Sequence, residues 1–372
     1  GRLIIYREGH TELPVCLYIS NLRDLKPGIN EFFWNGRDLN GNMVPPDSLT
    51  YYTFIYNKKA PATWVAVGPQ SRYGMVSIER TLSGLKAVTH DDRSLRSFSI
   101  GGSVRAPEPR DILFLENILD GQSITGLCRG EDERVYIGTS AGIVCVYVRK
   151  GKAVHDISFG NSGYIAFKDY RGRLPGNPSY SNGVLYVGMG GGGGRNVCIA
   201  VLDGKTGEFL SEIDLGDFFG MHANPPSITA TEKGLYCAHP DNAYVLNIEH
   251  NGDIRWICDA SDRTVGKDTD GRSFMYGIGV DQYGFSYVNT PGYSARCAVI
   301  GPDGMGLFRV ILVSLPGLRV SSAVPMIEGK ETDGLYFVTR GGDIPYIFHV
   351  PYTIRKGLIV DEEEYILTPT AI

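Results

Sequence analysis

The sequence predicts an all-β chain in which a small β-sandwich module leads into a β-propeller of six blades, with seven as the alternative count. Three observations predict it. A tyrosine recurs within similar hydrophobic hexapeptides at Tyr136, Tyr186, Tyr236, Tyr287 and Tyr336, with spacings of 50, 50, 51 and 49 residues. The 372 residues include 48 Gly, 20 Pro and 22 Tyr, which furnishes corners for many turns and aromatic residues for many strands. No segment holds apolar residues at helical spacing over three turns.

The first module spans 1–58, with its core in LKPGINEFFWNGRDLNGNMVPPDSLTYYTFIY (25–56). Phe33 and Trp34 can anchor a small core, and Gly36 and Gly41 allow the positive φ of tight turns. Asp38 and Asn40 can bond back to turn amides. The series Pro27, Gly28, Asn30, Phe33, Trp34, Asn35, Gly36, Arg37, Asp38, Gly41, Val44, Pro45, then Tyr51, Tyr52 and Phe54, resembles the Ig-like module of flagellar hook-capping proteins and of many bacterial surface proteins. That pattern normally has Gly before its Tyr-rich strand, where this chain reads PPDSLTYY. The resemblance implies an Ig-like β-sandwich, incomplete at its start, that serves as a spacer, docking element or envelope attachment. A beginning at Gly1 with no signal peptide suggests a processed, exported chain or a fragment.

The propeller spans 59–372, with an insertion near 90–115. Its unit has four strands. RVYIGT (134–139), VLYVGM (184–189), GLYCAH (234–239), FSYVNT (285–290) and GLYFVT (334–339) are second strands. A strand of small residues precedes each of them, as in SITGL, PSITAT and SSAVPMI, and a polar turn such as SNG or TEKG joins the two. A third apolar strand follows, then a turn and a weaker fourth strand. This is the plan of a propeller blade. One four-stranded sheet cannot bury both its faces alone, but radial stacking buries them against neighbours. Crowding at the axis requires narrow residues in the first strand, and large second-strand residues fill the wedge between sheets. A chain of sandwiches would need units of about 100 residues.

An earlier unit is expected in TWVAVG (63–68), YGMVSIE (73–79), RTLSG and LKAVT, as strands two to four, with about 20 extra residues before Tyr136. Ring closure is expected to draw on both chain ends, with YILTPTAI (365–372) supplying a strand to the first unit. DGKTG (203–207) and NGDIRW (251–256) resemble the quinoprotein-type propeller repeat. That repeat occurs in quinone-dependent dehydrogenases and also in proteins that hold no cofactor.

The charge of −5 and pI of about 5.9 argue against nucleic acid as the main partner, because phosphate neutralisation needs a clustered positive field. No run approaches the ~20 apolar residues of a membrane span. The seven cysteines are never within four residues of one another, which excludes a CxxC metal or redox pair, and they read mostly as small buried hydrophobes. None of the seven histidines forms HxH, HxxxH or HExxH, and there is no G-x-S-x-G elbow. GMGGGGGR (188–195) lacks the Lys-Ser/Thr and the helix of a phosphate loop and reads as a flexible hairpin. Asp268 and Asp270 form only part of a calcium-loop pattern, and the acidic run DEEEY (361–365) reads as a solvated strand edge.

The segments entering the innermost strands converge at one mouth of a propeller's channel. They contribute Gln122, Arg173, Asn177, His222, Asn224, Arg272 and Arg319, a candidate site for a small anionic ligand. No catalytic residue, metal ligand or cofactor is expected. The functional reading is a non-catalytic binding or scaffolding protein, extracellular, at the cell surface or periplasmic, with protein partners in a larger assembly. Two alternatives are an enzyme with its site at the channel mouth (a quinone-dependent oxidoreductase or a polysaccharide lyase) and a carbohydrate-binding surface protein.

Overall fold

The computed structural model describes residues 2–7, 10–19, 34–38, 40–44, 49–56, 63–67, 74–81, 84–90, 94–100, 111–119, 122, 124–149, 152–167, 174–239, 244–259, 278–290, 295–313, 319–328, 331–340 and 346–359. These form an all-β chain in a propeller arrangement with two single-turn helices. Strands β1 (Arg2–Arg7), β2 (His10–Ile19), β3 (Leu49–Tyr56) and β4 (Thr63–Val67) come first. A first sheet follows in β5 (Gly74–Thr81), β6 (Gly84–His90), β7 (Ser94–Ile100) and β8 (Asp111–Phe114), then helix α1 (Glu116–Leu119). The second sheet holds β9 (Ile124–Arg129), β10 (Arg134–Thr139), β11 (Gly142–Arg149), β12 (Lys152–His155) and β13 (Tyr164–Ala166). The third holds β14 (Pro175–Ser181), β15 (Val184–Met189), β16 (Cys198–Asp203) and β17 (Phe209–Asp214), followed by α2 (Gly216–Phe219). The fourth is β18 (Ser227–Thr231), β19 (Gly234–Ala238), β20 (Tyr244–Ile248) and β21 (Ile254–Asp259), and the fifth is β22 (Ile278–Val280), β23 (Ser286–Thr290), β24 (Ala295–Ile300) and β25 (Gly306–Val313). The closing sheet contains β26 (Arg319–Glu328), β27 (Glu331–Arg340) and β28 (Tyr346–Ile359).

The recurring tyrosines occupy one register. Each sits on the second strand of its sheet, between a first-strand and a third-strand partner: Tyr136 between Cys128 and Cys145, Tyr186 between Ser179 and Val201, Tyr236 between Thr229 and Asn247. Tyr287 lies between Gly279 and Val299, and Tyr336 between Val324 and His349. The core lies in the wedges. Tyr136 and Cys145 pack on Leu185, Val187 and Ala200 of the third sheet, while Val135 and Ile137, pointing the other way, pack on Leu115 and Leu119. Tyr186 and Ile199 meet Leu235 and Leu246 of the fourth sheet, and Tyr236 and Val245 meet Val288 and Ala298 of the fifth. Both faces of these strands are therefore apolar, so they read as unbroken hydrophobic runs.

The first strands line up around the axis: β9 against β14, β14 against β18, β18 against β22, β22 against β26, β26 against β5 and β5 against β9. Their small hydroxyl residues stitch neighbours together. Thr125 Oγ1 donates to the Gly176 carbonyl (3.3 Å), the Ala230 amide donates to Ser179 Oγ (2.8 Å), and Thr229 Oγ1 donates to the Ile278 carbonyl. Narrow side chains are needed there, and hydroxyls also satisfy backbone groups of the next sheet.

Closure differs from the expected assignment by two strands. TWVAVG does not open the first sheet. Its strand β4 pairs with β28 of the closing sheet, through Tyr346↔Val67 and His349↔Thr63. YGMVSIE is the first strand of the first sheet rather than its third, and LKAVT in β6 is the second. Lys86 on β6 stands 50 residues before Tyr136, so the period continues without its tyrosine. Strands β7 and β8 lie within the 90–115 stretch. The first and last described strands meet in one sheet, ordered β2-β1-β3-β28-β27-β26. YILTPTAI, DEEEY, Asp268 and Asp270 lie outside the described residues.

Residues 34–44 show the turn chemistry expected of Gly36, Gly41 and Asp38. Gly36 and Gly41 have φ of 72° and 86°, and Asp38 Oδ1 accepts from the amides of Asn40 (2.9 Å) and Asn42 (2.8 Å). Trp34 Nε1 donates to the Arg37 carbonyl (2.8 Å), and Trp34 packs with Ile5, Val44 and Leu49. Cys145, Cys198, Cys237 and Cys258 are buried and Cys128 is half-buried, in line with a packing role. Burial raises the Cys128 and Cys237 thiols and pushes that of Cys145 up to about 12, which keeps them unreactive.

Candidate functional site

Because the sheets are antiparallel and their first strands start at one end of the ring, the loops entering β9, β14, β18, β22 and β26 share that end with the turns from second to third strands. The third and fourth sheets define this face best. The backbone of Gly190–Asn196, between β15 and β16, lies against the loop 220–224 between α2 and β18. The Gly190 amide donates to the Leu174 carbonyl (2.9 Å), the Gly191 amide to the His222 carbonyl, and the Val197 amide to the Gly220 carbonyl (2.8 Å).

These contacts explain the glycine run better than hairpin flexibility does. A Cβ on Gly190 would stand 2.0 Å from the Ala223 carbonyl oxygen, one on Gly191 2.5 Å from the Met221 carbonyl carbon, and one on Gly188 2.4 Å from the Pro226 carbonyl oxygen. Two backbones touch where no side chain fits. Only the tip, Gly193 to Arg195, is exposed.

Beneath the loop, His239 is fully buried. Its Nε2 donates to the Asn224 carbonyl (2.9 Å), which fixes the tautomer, and its ring stacks on Phe219 at 4.9 Å. The ring of His222 lies 5.4 Å from that of His239, and His222 itself is exposed, as is Asn224. Two large apolar side chains flank the loop in solvent, Leu174 at 48% and Met221 at 62% exposure.

The expected site residues divide accordingly. His222 and Asn224 come together in one loop. Asn177 is exposed on β14 and leans over the neighbouring first strand, where a Cβ on Gly126 would fall 2.1 Å from its Oδ1. Gln122 is occupied: its Oε1 accepts from Thr139 Oγ1, a buried hydroxyl that also accepts from the Gly142 amide (3.0 Å) and so braces the turn between β10 and β11. Arg319 opens β26 opposite Arg340, and only its backbone is described, while Arg173 and Arg272 lie outside the described residues. The sequence reading missed His239, Leu174 and Met221. The last residue of GLYCAH was a usable signal for His239, because the end of each second strand reaches this face. Among the described residues no three His, Cys, Asp or Glu side chains are grouped to hold a metal.

No protein-family model matches the chain. No curated protein matches it in sequence. Among solved structures it is similar to the calcium-binding protein regucalcin of Agrobacterium tumefaciens strain C58, at 13% identity over 78% of this chain and 95% of that one, with a TM-score of 0.51. It is also similar to a member of the duf4221 family from Bacteroides vulgatus, at 12% identity over 82% of this chain and 99% of that one, with a TM-score of 0.52. At such identities the likeness speaks for the fold alone, and that fold is the β-propeller.

Proposed function

We propose that this chain is a non-catalytic binding or scaffolding protein, exported or at the cell surface, which works within a larger assembly and engages a protein partner through the mouth that carries His222 and Asn224. The observation that carries this reading is the pair of exposed apolar side chains, Leu174 and Met221, set beside those polar groups on loops locked by backbone-to-backbone packing. An apolar anchor with a polar surround on a rigid support is what a protein interface requires. In this reading the six sheets are six blades, with β4 completing the last, and residues 1–58 are an Ig-like module built onto the closing sheet. The packing of Trp34 and Val44 on Ile5 and Leu49 supports the module.

The test is recovery of a partner after gentle extraction. Met221→Glu should cut recovery by about tenfold or more, as loss of an interface anchor does, while Phe209→Glu on the outer strand β17 should leave it intact. A wild-type chain recovered alone, or equal recovery with both variants, contradicts the proposal. A second reading, catalysis at the same mouth, is favoured by the close His222 and His239 rings. Turnover of an anionic polysaccharide that disappears in His222→Ala would select it over binding.

A further inference from the structure

The face of β1 and β3 opposite Trp34 packs on the fifth sheet through aromatic rings. Tyr52 lies 5.3 Å from Tyr283 and 5.0 Å from Phe285, Phe54 lies 5.0 Å from Phe285, and Tyr6 lies 5.6 Å from Tyr52. Two carboxyls are built into this contact. Asp281, 5% exposed, begins the turn between β22 and β23. Its Oδ1 accepts from the amides of Tyr283 (2.9 Å) and Phe285 (3.1 Å), and its Oδ2 accepts from the Tyr287 hydroxyl (2.9 Å). Asp303 lies in the turn between β24 and β25. It converges with Tyr6 on Gly301, where an added Cβ would stand 2.4 Å from Asp303 Oδ1 and 3.0 Å from the Tyr6 hydroxyl. That hydroxyl is buried without a hydrogen-bond partner, and so is the hydroxyl of Thr50, which pairs with Tyr6 across the strands.

We propose that this contact is a pH-sensitive latch: with Asp281 and Asp303 protonated the N-terminal strands dock firmly on the fifth sheet, and ionisation of the two carboxyls loosens them. The groups facing Asp281 are the phenol of Tyr287 on its own sheet, Tyr52 from β3, itself faced by Tyr283, and Tyr236 from β19, and the group facing Asp303 is Tyr6 from β1. Burial raises Tyr6 and pushes Tyr52 up to about 12, so both phenols stay neutral and offer no counter-charge. Burial likewise outweighs the hydrogen bonds that favour the ionised form and pushes Asp281 up to about 7 and Asp303 to about 6. In each case the folded pKa lies above the unfolded one. The latch contribution is therefore complete below the ordinary carboxyl range and is lost as pH rises through about 6 to 7.

Amide hydrogen exchange of the intact chain, corrected for the intrinsic pH dependence, reads this directly. From about pH 5 to about pH 8, protection of β1 and β3 should fall at least about tenfold relative to β15 and β16, since one fully linked proton is worth up to about tenfold per pH unit. Asp281→Asn keeps the acceptor for the turn amides and should flatten most of that slope, and Asp303→Asn should flatten the rest. Should Asp281→Asn misfold, the wild-type profile and Asp303→Asn alone still decide. Wild-type protection that stays level over this range, or a slope unchanged in the soluble variants, overturns the latch.

Discussion

At the scale of single residues, the repeated tyrosine works through both its ring and its hydroxyl. The ring fills the wedge toward the next sheet, and the hydroxyl reaches a turn of that sheet. Tyr136 donates to the Gly204 carbonyl, and Tyr186 is bonded to His250 Nδ1 at 2.7 Å. Tyr287 instead uses its hydroxyl within its own sheet, on Asp281. Tyr136→Phe should therefore keep the packing but strand a buried carbonyl, costing about 1–3 kcal/mol in denaturant unfolding. A variant as stable as the wild type would show that the inter-sheet bond contributes nothing. The tyrosines were legible because a single large residue per unit leaves a regular mark in the chain. Polar pairings left no such mark. Arg134 and Asp156 form a buried ion pair at 2.7 Å, 22 residues apart, and nothing in the sequence joins them. There burial opposes ionisation, but the Ser158 hydroxyl and the Arg134 guanidinium together hold the Asp156 carboxyl below its usual range.

At the scale of elements, the sequence indicated strands more securely than it indicated their neighbours. TWVAVG was legible as a strand, yet pairing is settled by closure of the ring, a contact between positions about 280 residues apart in the chain. The first sheet was misaligned because Lys86 occupies the tyrosine position of β6. The narrow first strands were legible as small residues, but their hydroxyl bonds to the next sheet were not, since those depend on which strand lies alongside. Thr229→Val keeps the shape and β-propensity of its strand and removes the bond to the Ile278 carbonyl. It should lower stability by about 1 kcal/mol. The same substitution at an exposed outer-strand position should have no such effect. If the two cost the same, the stitching of first strands is not what stabilises the ring.

At the scale of the whole molecule, a rigid ring offers one end where several loops meet, and the N-terminal strands are set on the closing and fifth sheets away from the stitched axis. At the mouth, only the convergence of entry segments could be read ahead, because it follows from strand alternation alone; His222 and Asn224 are neighbours in the chain and fall in one loop for that reason. What gives that loop its character was hidden. The glycine run is shaped by a backbone from the next sheet, and Leu174 and Met221 stand exposed beside it. The most direct test is hydrogen exchange on the chain with the partner that the proposed function expects it to retain after gentle extraction, compared with the chain alone. The account predicts slower exchange across Gly190–Asn196 and the loop 220–224, with the outer strands β12, β17 and β21 unchanged. Slowing confined to those outer strands, with the mouth unaltered, would contradict it.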